Sequence, residues 1–192
     1  MGNKGFYYDM SVCTGCRTCQ VACKDKNDLD VGANFRRVHT FETGHFPETK
    51  PYHYSGACNH CSDAKCVKGC PTMAMHYAED GTVQHDAAKC IGCRYCTWNC
   101  PYGAPQFIKE KGIVGKCDSC KELRDAGGNP VCVDACLMRC IKFGDIDELK
   151  AEYGPDLVQE IPILPSADIT RPSLLVKPKT AAFNTEFRET EV

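Results

Sequence analysis

An excess of charge of either sign is missing from this chain. Lys and Arg number 23 against 25 Asp and Glu, a formal net charge of −2. That balance leaves no basic footprint for nucleic acid. Long hydrophobic runs are missing too. No stretch of 18 apolar residues occurs, so no membrane span is expected. The opening residues, Met1 to Asp9, hold no apolar signal core and no twin-arginine pair. No export signal of the chain's own is therefore expected. At 192 residues the chain suggests one or two small domains.

Cysteine is the opposite case, with 17 residues, near the level that marks a cross-linked scaffold. A disulfide framework suits a small secreted protein, but explains neither the missing signal nor the tight clustering. Structural zinc normally takes two separated pairs of ligands, which three cysteines within seven residues fit poorly. The stretch Cys90-Ile-Gly-Cys93-Arg-Tyr-Cys96-Thr-Trp-Asn-Cys100-Pro101 reads C-x2-C-x2-C-x3-C-P, the run that holds [4Fe–4S] cubanes in bacterial-type ferredoxins. Three thiolates of such a loop reach one cube, and the fourth points to another.

The run recurs with variations. Cys13, Cys16, Cys19 and Cys23 form the first group, and Cys58, Cys61, Cys66 and Cys70 the second. Cys90, Cys93, Cys96 and Cys100 form the third, and Cys117, Cys120, Cys132 and Cys136 the fourth. The crossover rule then predicts four clusters. Cys13, Cys16, Cys19 and Cys136 ligate the first; Cys23, Cys117, Cys120 and Cys132 the second. Cys58, Cys61, Cys66 and Cys100 ligate the third; Cys70, Cys90, Cys93 and Cys96 the fourth. With every iron ligated by protein, no catalytic residue is expected. An iron–sulfur enzyme with a labile iron is disfavoured on the same ground. Four such cubes in one chain make a one-electron wire.

The groups are nested. Residues 58–104 read as an inner two-cluster ferredoxin-like unit. Residues 1–30 with 105–148 read as an outer one. The expected class is α+β: tandem, nested 2[4Fe–4S] ferredoxin-like units with an extended C-terminal arm. Strands are expected at Phe6–Asp9, about Phe35–Phe41, in a hairpin around Asp80-Gly81, at Ile141–Asp145 and at Leu174–Val176. A short helix is expected from Val21. Gly44, Pro47 and Pro51 read as loop markers, as does the eleven-residue gap between Cys120 and Cys132. The insertion 31–57 is too long for a simple connection. It packs on a partner subunit or on the second cluster pair, or is a surface loop. Residues 149–192 have five prolines and no cysteine and read as an arm for partner docking. A disordered tail is the alternative, against which stand apolar residues such as Ile161, Leu174 and Val176.

Each oxidised cube with its thiolates carries about −2, which calls for nearby cations. Arg17, Lys24, Lys65, Lys68, Lys89, Arg94, Lys116, Lys121 and Arg139 lie in or beside the groups. Gly15 and Gly92 sit inside ligand loops, where a missing Cβ admits backbone N–H groups to sulfur. Cys140 is left over and reads as a buried apolar thiol. A redox sensor and an alternative ligand are its other readings. Trp98 and the six histidines read as structural.

Several stretches resemble one family: Cys13-Thr-Gly-Cys-Arg-Thr-Cys19, Phe35-Arg-Arg37, Cys58-Asn-His-Cys61, Cys90 to Cys96, Cys100-Pro-Tyr-Gly-Ala-Pro-Gln106, Lys116-Cys-Asp118, and Phe143-Gly144 with Asp147-Glu-Leu149. They are similar to the four-cluster electron-transfer subunits of the molybdopterin oxidoreductases, in particular those of dimethyl sulfoxide reductase type. The resemblance implies a large catalytic partner holding molybdenum or tungsten, and a membrane anchor that oxidises quinol. It implies that the Cys13 cluster faces the catalytic partner and the Cys70/Cys90 cluster faces the membrane. It implies a place at the outer face of the membrane, reached by export with a twin-arginine partner; the cytoplasm is the alternative. In the nitrate reductase relative a tryptophan stands at the position of Cys93, leaving three irons; here four are expected. Leu137 stands where relatives have proline, and Cys140 where they have a small residue. The rival function is a free polyferredoxin carrier.

Overall fold

The structure, a computed structural model, describes residues 3–190. In chain order it has β1 (Lys4–Asp9), α1 (Thr18–Lys26), β2 (Arg37–Thr43), β3 (Lys50–Gly56) and α2 (Lys65–Lys68). There follow β4 (Met75–Tyr77), β5 (Val83–His85), α3 (Tyr95–Asn99), β6 (Gln106–Ile108) and β7 (Ile113–Gly115). The last elements are α4 (Lys121–Asp125), α5 (Val131–Asp134), β8 (Ile141–Asp145), α6 (Ile146–Tyr153), β9 (Leu174–Lys177) and β10 (Phe187–Thr190). The class is α+β.

β1 is the centre of a three-stranded sheet. It runs antiparallel to β8, with Phe6 opposite Phe143, and parallel to β9, with Tyr7 opposite Leu175. Strand alternation sends its side chains to two sides. Phe6 and Tyr8 join the large core that also holds Cys19, Cys58, Cys117 and Cys136. Tyr7 enters a smaller core with Ile146, Leu149 and Leu175 and stacks on Tyr153, centroids 4.0 Å apart. α6 starts where Asp145 accepts from the Asp147 N–H at 2.9 Å, with Asp147 and Glu148 in its first turn. A capping oxygen and acidic residues both favour a helix start there.

The helices repeat the nesting. α1 packs on α5, and α2 packs on α3. The inner hairpin β4–β5 carries Asp80 in its turn, accepting from the Thr82 N–H at 3.0 Å. Asp80 also takes a 2.6 Å ion pair from Arg124 on α4. Hydrogen bonds from Thr82 and Arg124 outweigh burial and hold its carboxyl at about 2. This pair ties the inner hairpin to the outer half of the chain.

Three expectations are corrected. The insertion is not a surface loop. It is the hairpin β2–β3, extended by β10 on the other side of β2, and it packs on the first cysteine loop. Gln20 accepts from the Val38 N–H at 2.8 Å, and Tyr8 donates to the His53 carbonyl at 2.8 Å. Pro51 lies within β3, not in a loop. β3 is an outer strand of its sheet, where a missing N–H is tolerated. The gap between Cys120 and Cys132 is not all loop, because α4 forms in it.

The arm is extended, as expected, but it returns to its own chain. Leu174, Leu175 and Val176 are buried, with Ile161 and Ala182. Without β9, β1 would present an open edge and a bare apolar face.

Candidate metal centre

Four ligand loops share one backbone device. The residue before the second cysteine of each group is left-handed: Gly15 (φ 69°), His60 (φ 44°), Gly92 (φ 67°) and Ser119 (φ 56°). The first and third loops also share a second such residue, Arg17 at 62° and Arg94 at 63°, each followed by a short helix. This turn aims backbone N–H groups at sulfur. In the fourth loop the Ser119 N–H reaches Cys117 Sγ at 3.3 Å; outside these turns, at the start of β4, the Met75 N–H reaches Cys70 Sγ at 3.4 Å. At Gly92 a Cβ would stand 2.2 Å from the Gly112 carbonyl oxygen; at Gly15 it would stand 2.6 Å from the His53 ring.

The sulfurs gather around hollows. Cys13, Cys16, Cys19 and Cys136 line one, joined by Cys140, Val38 and Ser55. Cys70, Cys90, Cys93 and Cys96 line another, with Gly69, Met75 and Val114. Each is a small hollow with a cavity volume of about 20 Å³. In a third group, burial together with Cys58 and Cys100 pushes the Cys61 and Cys66 thiols up to about 12. In a fourth, burial with Cys132 and Cys120 pushes Cys23 up to about 12, and burial with Cys23 and Cys132 raises Cys117. Thiols so crowded give up their protons on binding metal. Among the described residues no three His, Cys, Asp or Glu side chains meet closely enough to hold one ion. The donors are set around a space instead of at a point, as a multi-iron cluster requires.

The groups lie in a row. Cys132 of one set adds to the burial that raises Cys19 of the next. Cys58 likewise adds to the burial that raises Cys117. Cys66 and Cys96 share a core with Cys61, Cys70 and Cys90. The ends of the row reach the surface: Cys16 and Cys93 are exposed, whereas Cys23, Cys117, Cys120 and Cys132 are all buried.

The expected cations divide. Lys65 and Lys68 pair with Asp63, Lys89 with Asp86, and Lys121 with Asp125. Arg139 donates to the Asp134 carbonyl, and Arg94 lies 3.7 Å over the Phe107 ring. Lys116 alone of the nine is buried. Arg36, which distance along the chain hides, is also buried, and its Nε and Nη2 have no hydrogen-bond partner. A buried guanidinium with two unpartnered nitrogens among thiols fits a polyanionic group. Cys140 is buried as expected. Its Sγ lies 3.4 Å from Cys136 Sγ. It also holds the Cys13 thiol low while its own pKa is pushed up.

A family model described as a 4Fe-4S dicluster domain matches residues 49–146. The chain is 45% identical over 191 residues to the B subunit of anaerobic dimethyl sulfoxide reductase from Haemophilus influenzae, covering 95% of this chain and 92% of that one. It is 46% identical to the Escherichia coli protein of the same name, over 91% and 88% of the two chains. The chain belongs to the iron–sulfur subunit family of dimethyl sulfoxide reductase. The formate dehydrogenase iron-sulfur subunit of Wolinella succinogenes is 40% identical over 75% of this chain and 82% of its own. Members of this family are electron-transfer subunits of molybdoenzymes, and this chain, with its cysteine sets, is one of them.

Proposed function

We propose that the chain holds four [4Fe–4S] clusters and relays single electrons between a quinol-oxidising membrane partner and a molybdenum or tungsten catalytic subunit. The chain itself catalyses no reaction. When bound, each cluster supplies a one-electron redox centre with no iron open to substrate. The ligand sets are Cys13, Cys16, Cys19 and Cys136; Cys23, Cys117, Cys120 and Cys132; Cys58, Cys61, Cys66 and Cys100; and Cys70, Cys90, Cys93 and Cys96. The nested units, 1–30 with 105–148 outside and 58–104 inside, follow from those sets.

The observation that supports the reading is that cysteines of adjoining groups share buried cores while Cys16 and Cys93 are exposed and Cys23, Cys117, Cys120 and Cys132 are all buried. A relay needs its terminal centres near partners and its internal ones away from water. The protein's share is to shape each potential through N–H···S contacts, burial and charge. The complex is exported folded, with a twin-arginine signal on the catalytic partner. Two experiments test this. Purification from the native host should yield a complex with a large pterin-containing chain, and a monomeric carrier would contradict it. Cell fractionation should place the complex on the outer face; a cytoplasmic complex would overturn that assignment alone.

A further inference from the structure

The two buried cations occupy the places where the row passes from one sulfur group to the next. Arg36 is 3% exposed. Its Nη1 donates to the Ser55 carbonyl at 2.9 Å and to Ser55 Oγ at 3.1 Å, while Nε and Nη2 have no partner. The same Ser55 Oγ lies 3.4 Å from Cys19 Sγ. The Phe6 ring covers the guanidinium at 4.6 Å. Burial opposes its charge, and Cys132, Cys19, Cys117 and Cys23 outweigh burial, so its pKa lies above the ordinary value. Those sulfurs come from two ligand sets: Cys19 from one, and Cys23, Cys117 and Cys132 from the next.

Lys116 repeats the arrangement one step along. Its Nζ donates to the Val83 carbonyl at 2.5 Å and the Cys117 carbonyl at 2.8 Å. It favours the thiolate of Cys66, a member of the third set, while its own chain neighbour Cys117 belongs to the second. Beside it His60 is kept neutral by burial and by the Lys116 charge itself. Among the described residues neither cation pairs with a carboxylate. They are also the only cationic side chains among the buried residues described. The step between the third and fourth sets thus has no buried cation among the described residues.

We propose that Arg36 and Lys116 are potential-setting residues of the relay: Arg36 for the first and second clusters, Lys116 for the second and third. The inference rests on the four-cluster reading. Each transfer takes one electron from one cluster and places it on the next; no proton moves, and both cations keep theirs. A cluster becomes more negative on reduction. A fixed positive charge in a low-dielectric gap therefore stabilises the reduced form on either side and raises both potentials. Fully exposed lysines elsewhere are screened by water and salt and do this weakly. The fourth cluster, whose sulfurs are absent from the groups that act on Arg36, is the internal control for Arg36.

The test is a redox titration of the assembled complex followed by electron paramagnetic resonance, with iron and sulfide measured on each sample. Signals are assigned with single cysteine variants. Arg36→Gln should lower the potentials of the first and second clusters and leave the fourth at its wild-type value; Arg36→Lys should largely restore them. Lys116→Gln should lower the second and third and leave the first. Unchanged potentials in variants with full iron would overturn the inference and leave the relay standing. Fewer than four clusters in the wild type would instead overturn the relay. If both glutamine variants lose clusters, the cations are needed for assembly rather than tuning, and the inference falls.

Discussion

The loops Cys13–Cys19 and Cys90–Cys96 have nearly the same backbone and opposite surroundings. Their left-handed residues differ by 2° at the glycine and by 1° at the arginine. The first is roofed by β2–β3, with Val38 and Ser55 against its hollow, His53 against Gly15, and Cys140 beneath. The second has the Gly112 carbonyl and Phe107 behind it, and it turns Ile91 (66% exposed) and Trp98 (77% exposed) outward. Loop conformation therefore follows from ligand spacing: the two C-x2-C-x2-C loops share both left-handed turns. What covers the loop is free to differ, and so distinguishes the two loops.

The largest expected effect breaks the likeness of the two glycines. At Gly92 an added Cβ meets backbone, which cannot swing away; at Gly15 it meets a histidine ring, which can. Gly92→Ala should therefore lose about four of about sixteen irons, whereas Gly15→Ala should keep nearly all. Iron content of anaerobically purified protein checks this. Equal loss at both positions would mean that the positive φ, not the neighbour, sets the requirement.

The exposed second ligands sharpen the comparison. Cys93→Ser should leave a three-iron cluster held by Cys70, Cys90 and Cys96, with the other three clusters intact. Quinol-driven turnover should fall, while turnover driven by a dye that reduces the catalytic partner directly should stay near wild type. Cys16→Ser should likewise slow quinol-driven turnover and spare the dye-driven assay, because the dye bypasses the whole relay. If Cys93→Ser depresses both assays equally, the variant damages the catalytic partner or its docking, and Cys93 does not act through the relay alone.

The arm adds a third test, since it supplies β9 to one three-stranded sheet and β10 to the other. Leu175→Ala removes a fully buried side chain from the β1–β9 pair, and should cost about 2–5 kcal/mol in a denaturation measurement. Deleting 161–190 should therefore cost clusters as well as partner binding. The link between the two halves is weaker. Asp80→Asn removes the charge facing Arg124 and should cost about 1–3 kcal/mol. Trp98→Ala, on the exposed loop, should change stability by no more than about 0.5 kcal/mol.

Cysteine spacing made the sulfur groups legible, because x2 and x3 intervals restrict which thiolates can share a cube. β1, the β4–β5 hairpin, β8 and β9 were legible from alternation and from Asp80-Gly81. β3 was hidden by Pro51, a breaker that an outer strand tolerates. Arg36 was hidden by distance: 12 positions past Lys24, it reaches the sulfurs only because β2–β3 folds back over α1. The Phe35-Arg-Arg37 stretch marked the place but not the role. His60 and Ser119 take the left-handed turn that glycine takes in the other loops. Side-chain identity does not announce that conformation. Lys116 was in view as one cation of nine, and only burial separates it from the others.

The central claim is that four iron–sulfur cubes fill four cysteine sets. Iron and acid-labile sulfide counted per chain in the anaerobically purified complex, after subtracting the clusters of its partners, test it most directly. The expected result is about sixteen of each. About four zinc ions per chain with no sulfide would contradict it.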